Sequence, residues 1–244
     1  MPSPADLHRN LIQRVNVGDS LTRTAARYPG ALALADGTRR LTYREFNSLV
    51  NRFARGLAAR GYRRGDALAL ASGNSIEFLV TYYACAKLGV VCVPVNLGWR
   101  PDEVGYVLGH SRSRGIVIES QLIPGLAATI AKQPGVADVI VAPGTDGEAG
   151  IRSGEIDGAV TVADVIVDDD AEPECFVHDR DAISYLYTSG TTSFPKGVVG
   201  NHTSIYLESL SMAVEARFNE TDRFVAMMPM FHTAQLNCHC TAAV

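Results

Sequence analysis

The 244-residue sequence lacks several features that define whole classes of proteins. It has five cysteines and no CxxC pair, and their odd number and wide spacing argue against a disulfide framework and favour reduced thiols. Its N-terminus, MPSPADLHRN, has no apolar core of the secretory type, and hydrophobic runs such as Val90 to Val95 are far too short to span a bilayer. We therefore expect a cytoplasmic protein without a transmembrane segment.

An excess of positive charge is also missing from the sequence. Lys and Arg number 22 and Asp and Glu number 26, which gives a formal net charge of −4. Proteins that bind nucleic acid or an anionic membrane by electrostatic attraction need the opposite balance. We expect no nucleic-acid partner, and small molecules become the default class of ligand.

The residues that are present predict a folded chain of alternating strands and helices. Hydrophobic residues make up 47% and charged residues 20%, as in ordinary globular proteins. Thr42 and Glu45 form a capping box before an amphipathic helix that Gly61 ends, and Asn74 with Glu77 is predicted to cap a second helix. The predicted strands are Asp66 to Ala71, Val90 to Val95, Gly115 to Glu119, Asp138 to Val141 and Ala182 to Tyr187. This order predicts an α/β fold with a mostly parallel sheet flanked by helices.

Two irregular segments suggest how the chain is divided. Residues 142–160 are rich in Gly, Asp, Glu and Pro, which is typical of a surface excursion. A cluster of acidic residues then surrounds Pro173, and we interpret it as a solvated connector rather than as a metal site. We therefore predict a first α/β subdomain over residues 1–170 and the start of a second, incomplete α/β subdomain over residues 171–244.

The segment after the last predicted strand contains the clearest chemical signal. Hydroxyl and glycine residues run from Thr188 to Ser193 and are followed by Lys196, so backbone N–H groups, hydroxyls and an ammonium are available to a polyphosphate. A Walker A loop is the obvious alternative. However, five residues separate Gly190 from Lys196, and Pro195 and Gly197 flank the lysine where that motif needs glycine and Ser or Thr. A phosphotransferase of the P-loop type is therefore the weaker alternative, and a Ser/Thr/Gly loop without this function is another.

This segment, YTSGTTSFPKGV, resembles the phosphate-binding signature of the acyl-adenylate-forming superfamily, which includes acyl-CoA synthetases. Ser193 departs from the signature, since the family usually has glycine there. Downstream, MMPMFHTAQLN resembles the family segment in which a histidine, here His232, lies beside the adenylation site and the acyl pocket. Gln235 replaces a glycine often found after that histidine. Without the resemblance, His232 would be interpreted as a histidine packed in an apolar turn.

The resemblance implies ATP-dependent activation of a carboxylic acid, followed by thioester formation with coenzyme A, with fatty acid metabolism as the expected context. The implied catalytic residues are Lys196 and His232. The implied phosphate-binding residues are Thr188, Ser189, Gly190, Thr191, Thr192 and Lys196. The implied cofactors are ATP, Mg²⁺ and coenzyme A, with no metal ligand assigned among these residues. The expected partner is a small-molecule carboxylic acid, and a homodimer is possible.

The resemblance also implies segments that the 244 residues do not contain. These are an acidic Mg²⁺ ligand, an aspartate for the ribose hydroxyls, a hinge and a mobile domain with a second lysine. We therefore expect the chain to represent the N-terminal portion of a larger ligase and to be inactive alone. A catalytically inactive nucleotide-binding module is the alternative. Cys238, His239 and Cys240 are adjacent, which suits packing better than chelation of one metal ion.

Overall fold

The computed structural model describes residues 2–37, 39–144, 156–188 and 194–244. The helices are α1 (Pro4–Gln13), α2 (Val17–Arg27), α3 (Tyr43–Ala59), α4 (Ile76–Leu88), α5 (Pro101–His110), α6 (Ile123–Ile130), α7 (Val162–Val165) and α8 (His202–Glu215). The strands are β1 (Leu32–Asp36), β2 (Arg39–Thr42), β3 (Ala67–Ala71), β4 (Val91–Pro94), β5 (Ser113–Glu119), β6 (Asp138–Ala142), β7 (Val160–Thr161), β8 (Ala182–Thr188) and β9 (Lys196–Asn201). A 3₁₀ turn at Ser120–Leu122 and a π-helix at Ala234–Cys240 complete the described elements.

Seven of the strands form one sheet. Their order is β7-β6-β5-β3-β4-β8-β9, while β1 and β2 pair separately as an antiparallel ribbon. Neighbours in the large sheet are parallel from β7 to β8, and β9 is antiparallel to β8. The predicted α/β fold with a mostly parallel sheet is therefore confirmed.

Alternate residues of β3 supply the two faces of the sheet. Leu68 and Leu70 pack in a hydrophobic cluster with α2, α3 and α4, whereas Ala67, Ala69 and Ala71 pack in a second cluster with α5 and α6. The helix after β3 and the helix after the neighbouring β5 thus cover opposite faces. In such sheets a crevice opens at the carboxyl ends of these two strands, which is where ligands usually bind.

The helix caps agree with the sequence at one site and differ at another. At α3 the predicted capping box of Thr42 and Glu45 is present. At α4 the prediction of Asn74 as the cap was wrong, because Ser75 Oγ accepts the hydrogen bond from the Phe78 amide at 3.1 Å. The side chain of Asn74 instead bonds to a distant segment of the chain.

The acidic residues from Asp168 to Glu172 are exposed, as expected for a solvated connector, but the segment is also attached to the fold. It lies across α3 and α4 and is held by ion pairs with basic side chains. The pairs are Arg52–Asp168, Arg55–Asp169, Lys87–Glu172 and Arg64–Asp181. Beyond it, β8 and β9 extend the same sheet through β4. The predicted division near residue 170 stays a prediction.

Within the described ranges, no helix is long and apolar enough to cross a membrane.

Candidate functional site

The two ends of the predicted phosphate-binding segment lie side by side. Thr188 ends β8 and Lys196 begins β9, and the two residues are partners in the antiparallel register. Both residues are exposed, so the hydroxyl and the ammonium are accessible to a ligand. Four further predicted binding residues, Ser189, Gly190, Thr191 and Thr192, lie outside the described residues, as does Ser193.

Thr188 lies at the edge of the sheet where ligands are expected. Strands β3, β4 and β8 are parallel neighbours, so their carboxyl ends share one edge. Adjacent strands are about 4.8 Å apart, which places the ends of β3 and β8 about 10 Å from each other. The loop after β3 and the predicted phosphate-binding segment therefore belong to the same region of the surface.

Aromatic side chains connect both sides of this segment to α5. Phe194 stacks on Tyr106 with ring centroids 4.6 Å apart, and Tyr106 stacks on His110 at 5.2 Å. His110 Nδ1 lies 2.7 Å from the hydroxyl of Tyr187, whose ring also meets Trp99 edge to face. Residues that precede and follow the predicted loop are thus packed against one helix.

The hydroxyl of Tyr187 keeps its proton at neutral pH. Burial raises the pKa of Tyr187 to about 12, and the nearby Tyr106 and Tyr185 act in the same direction. A neutral phenol next to an imidazole forms a hydrogen bond without a charge change. The sequence did contain a signal for this cluster, because Tyr106 and His110 are four residues apart and share one face of α5.

His232 lies on an exposed turn rather than in a core. Its amide donates to the Pro229 carbonyl at 3.1 Å, and its ring meets Phe231 at 4.8 Å. Its carbonyl accepts from the Leu236 amide at the start of the π-helix. The side chain is therefore available to a ligand, unlike that of a packed core histidine.

The turn that carries His232 is attached to the loop after β3. The side chain of Asn74 forms hydrogen bonds with the backbone of residues 226–230. This attachment brings the His232 turn to the same carboxyl edge of the sheet at which Thr188 lies. The structure thereby brings the two predicted halves of the site to one edge.

In the part of the chain that the structure describes, no group of three or more His, Cys, Asp and Glu side chains is placed to hold a metal ion. Cys240 is buried, and the partly buried Cys238 donates to Glu208 Oε1 at 2.9 Å. Burial and this hydrogen bond raise the pKa of Cys238 to about 11, so it remains a thiol at neutral pH.

Comparison with known proteins places these features in a family. The model of a family described as AMP-binding enzyme matches residues 21–244. A long-chain-fatty-acid–CoA ligase, FadD13, from Mycobacterium tuberculosis is 34% identical over 224 residues, which are 91% of this chain and 42% of that protein. A feruloyl-CoA synthase from an Amycolatopsis species is 30% identical over 224 residues, which are 92% of this chain and 41% of that protein.

Solved structures agree with these relatives. The N-terminal domain of FACL13 from Mycobacterium tuberculosis, solved with an inhibitor, has a TM-score of 0.80 and 32% identity, covering 93% of this chain and 55% of that one. The anthranilate CoA ligase AuaEII in complex with anthranoyl-AMP has a TM-score of 0.85 and 25% identity, covering 93% and 43%. The chain thus spans less than half the length of the curated relatives described above.

Proposed function

The chain belongs to the AMP-binding enzyme family, and from this membership we propose that the protein activates a small-molecule carboxylic acid with ATP and transfers the acyl group to coenzyme A. In the first step a carboxylate oxygen bonds to the α-phosphorus of ATP while the bond to the β-phosphate breaks. The products are an acyl-adenylate and pyrophosphate. Catalysis of such a step depends on positioning and on neutralisation of charge.

The observation that supports this proposal best is the register pairing of Thr188 with Lys196. The pairing presents a hydroxyl and an ammonium together at the carboxyl edge of the sheet, and a polyphosphate needs such donors. In this proposal Thr188, with Ser189, Gly190, Thr191 and Thr192, binds the ATP phosphates. Lys196 neutralises the departing pyrophosphate, and Mg²⁺, when supplied with the nucleotide, would share in that neutralisation.

The same pairing disfavours the P-loop alternative. A Walker A loop leads from a strand into a helix, and its lysine lies at the helix start. Here Lys196 begins the strand β9, antiparallel to β8, and Pro195 before it has no amide proton to donate. A phosphotransferase of that type is therefore not supported.

The surroundings of His232 suit an acid with an apolar body. Phe231 packs against its ring, and Met228 is part of the same turn and is 42% exposed. We propose that His232 orients the carboxylate and that these side chains contact the rest of the acid. Fatty and aromatic acids, of the kinds named for the relatives, are the first candidates to assay. A cytoplasmic location and a homodimer remain proposals.

The phosphate-binding part of the proposal is tested with Lys196→Ala. Loss of one charge-assisted contact costs about 1.5 to 3 kcal/mol, so we expect pyrophosphate and MgATP to bind roughly tenfold to a hundredfold more weakly. Isothermal titration calorimetry of the 244-residue chain measures this directly. The matched control is Lys132→Ala, because Lys132 is also exposed but lies after α6. Equal affinities for Lys196→Ala and the control would contradict the assigned role.

Acid-dependent exchange of pyrophosphate into ATP tests the enzymatic part. We expect the 244-residue chain to bind pyrophosphate but not to catalyse exchange, because it spans less than half the length of the curated ligases that it matches. Robust exchange with any fatty or aromatic acid would overturn this expectation. It would also exclude the inactive nucleotide-binding module.

A further inference from the structure

Asn74 uses its whole side-chain amide on a segment that is more than 150 residues away. Its Nδ2 donates to the carbonyls of Ala226 and Met228 at 2.8 and 2.9 Å, and its Oδ1 accepts from the Met230 amide at 2.8 Å. Both donors and the acceptor of the amide are thus engaged. A carboxylate could not donate these bonds, and an alanine could form none of them.

The segment that Asn74 binds is irregular, and apolar contacts and polar groups share its support. Residues 222–227 form neither helix nor strand, and Met227 is 84% exposed, whereas Met230 is buried in the core. A second side-chain amide helps, because Oε1 of the buried Gln235 accepts from the Met228 amide at 3.1 Å. The backbone before His232 is therefore held by two amides, one from the loop after β3 and one from the π-helix.

Asn74 is itself fixed to the sheet. Glu119, which ends β5 and is 1% exposed, accepts hydrogen bonds at Oε1 from the Ser72 hydroxyl at 2.7 Å and from the Gly73 amide at 3.0 Å. Ser75, which follows Asn74, caps α4. The residues on both sides of Asn74 are thus tied to rigid elements, so its amide can determine where the distant segment lies.

We propose that Asn74 is a positioning residue that holds the turn carrying His232 at the carboxyl edge of the sheet. The significance for catalysis rests on the function proposed above, in which His232 orients the carboxylate of the acid. Without the amide of Asn74, the Ala226 and Met228 carbonyls bond to water, and the His232 turn loses its polar attachment to the loop after β3 and shifts. Thr188 and Lys196 keep their positions, because the antiparallel pairing of β8 with β9 holds them.

The test compares Asn74→Ala with Asn96→Ala in the 244-residue chain. Asn74→Ala removes both donors and the acceptor of the amide without adding a charge. Asn96, which follows β4 and accepts from the Gly98 amide at 2.9 Å, loses its amide in the same way but away from the turn. We expect hydrogen exchange at the Met230 amide to accelerate about tenfold or more in Asn74→Ala, because its own hydrogen bond and the two neighbouring ones are lost. We also expect the ring resonances of His232 to shift only in Asn74→Ala.

Two comparisons separate positioning from a general loss of stability. The ring resonances of the buried His202 should stay in place in Asn74→Ala, and MgATP affinity should remain within about twofold of the original chain. Unchanged Met230 exchange and His232 resonances would overturn the proposal, as would equal shifts of both histidines or a parallel loss of MgATP affinity. If Asn74→Ala does not fold, Asn74→Ser, which is small and polar, takes its place with the same expected results.

The exchange and resonance measurements need neither nucleotide nor acid. Equal phosphate affinity in Lys196→Ala and its control would count against the proposed function, while these measurements would still decide the role of Asn74.

Discussion

The imidazole of His202 is buried in an environment that favours its neutral form. It lies at the start of α8, and its Nδ1 accepts from the Val17 amide at 3.2 Å. Its Nε2 has no hydrogen-bond partner in the described structure. Burial lowers the pKa of His202 to about 4. The nearby Asp181, Asp19 and Asp179 oppose this effect, and Arg14 adds to it.

We predict that this residue makes the protein sensitive to acid. The pKa of His202 in the folded state lies below its unfolded value of about 6.5. The stability that the neutral imidazole contributes is therefore present above pH 6.5 and is lost as the pH falls toward 4. With these two pKa values, the free energy of unfolding falls by about 2 kcal/mol between about pH 7.5 and about pH 5. Urea unfolding at these two pH values measures the loss.

His202→Gln tests the assignment, because an amide oxygen can still accept from Val17 but does not titrate. The pH dependence of the unfolding free energy should become flatter in this variant. His8→Gln, which changes an exposed histidine on α1, should keep the original dependence. A similar pH dependence in His202→Gln and in the original chain would show that other groups cause the acid sensitivity.

Single residues show where local sequence patterns succeed and where they fail. The motif around Lys196 was recognisable because its hydroxyls, glycine and lysine are close in sequence. The role of Asn74 was not, because both Asn74 and Ser75 are good capping residues and only the contact with residues 226–230 decides between them. The sequence around His202 did not indicate that its imidazole is buried, because that burial depends on the packing of α8 against α2.

At the scale of elements, the acidic segment is attached to the helices by a buried lysine. Lys87 of α4 is 1% exposed, and oxygen atoms of Thr22, Asn47 and Asn51 lie 2.9, 2.7 and 2.6 Å from its ammonium, with a carboxylate oxygen of Glu172 at 2.6 Å. The three N–H donors of the ammonium are shared among these four acceptors. Burial lowers the pKa of Lys87, and Glu172 opposes that shift. Burial also raises the pKa of Glu172, but Lys87 and Asn47 hold it below its ordinary value. The ion pair of 2.6 Å between the two groups therefore favours the charged form of each.

We predict that Glu172→Gln destabilises the fold by about 2 kcal/mol, because the ammonium of Lys87 stays buried without its counter-charge. This expected loss of stability is smaller than that for a fully buried ion pair, because the side chain of Glu172 is 42% exposed to water. Urea unfolding measures the change. Glu174→Gln, two residues away and exposed, should alter stability by less than about 0.5 kcal/mol. Equal stability of the two variants would refute the role of this pair.

Helices and strands were predictable where residues close together in the sequence indicate them. The capping box gave the start of α3, and the apolar run from Ala67 to Ala71 gave β3. The attachment of the acidic segment was not predictable, because Arg52 and Arg55 pair with carboxylates more than 100 residues away. The antiparallel direction of β9 was also not predictable, because the residue pattern of a strand does not determine whether its neighbour is parallel or antiparallel.

For the whole molecule, the central question is whether residues before and after position 170 unfold together. Both sides contribute strands to one sheet, in which Cys92 of β4 is the register partner of Ser184 of β8. Trp99, the single tryptophan, lies between β4 and α5, and its ring meets Tyr187 of β8 with centroids 6.4 Å apart. Trp99 therefore reports on the contact between the two predicted subdomains.

We predict one cooperative transition in which Trp99 fluorescence and far-ultraviolet circular dichroism change at the same urea concentration. Most of the described helices precede residue 170, so the dichroism follows the first part of the chain, while the fluorescence follows its contact with β8. The fluorescence and dichroism curves should coincide because β8 pairs with β4, and separation of β8 would expose the hydrophobic core that the sheet covers. Trp99→Phe provides the control, since its dichroism midpoint should remain near the original value. A fluorescence transition at clearly lower urea than the dichroism transition would show that residues 171–244 unfold as a separate unit.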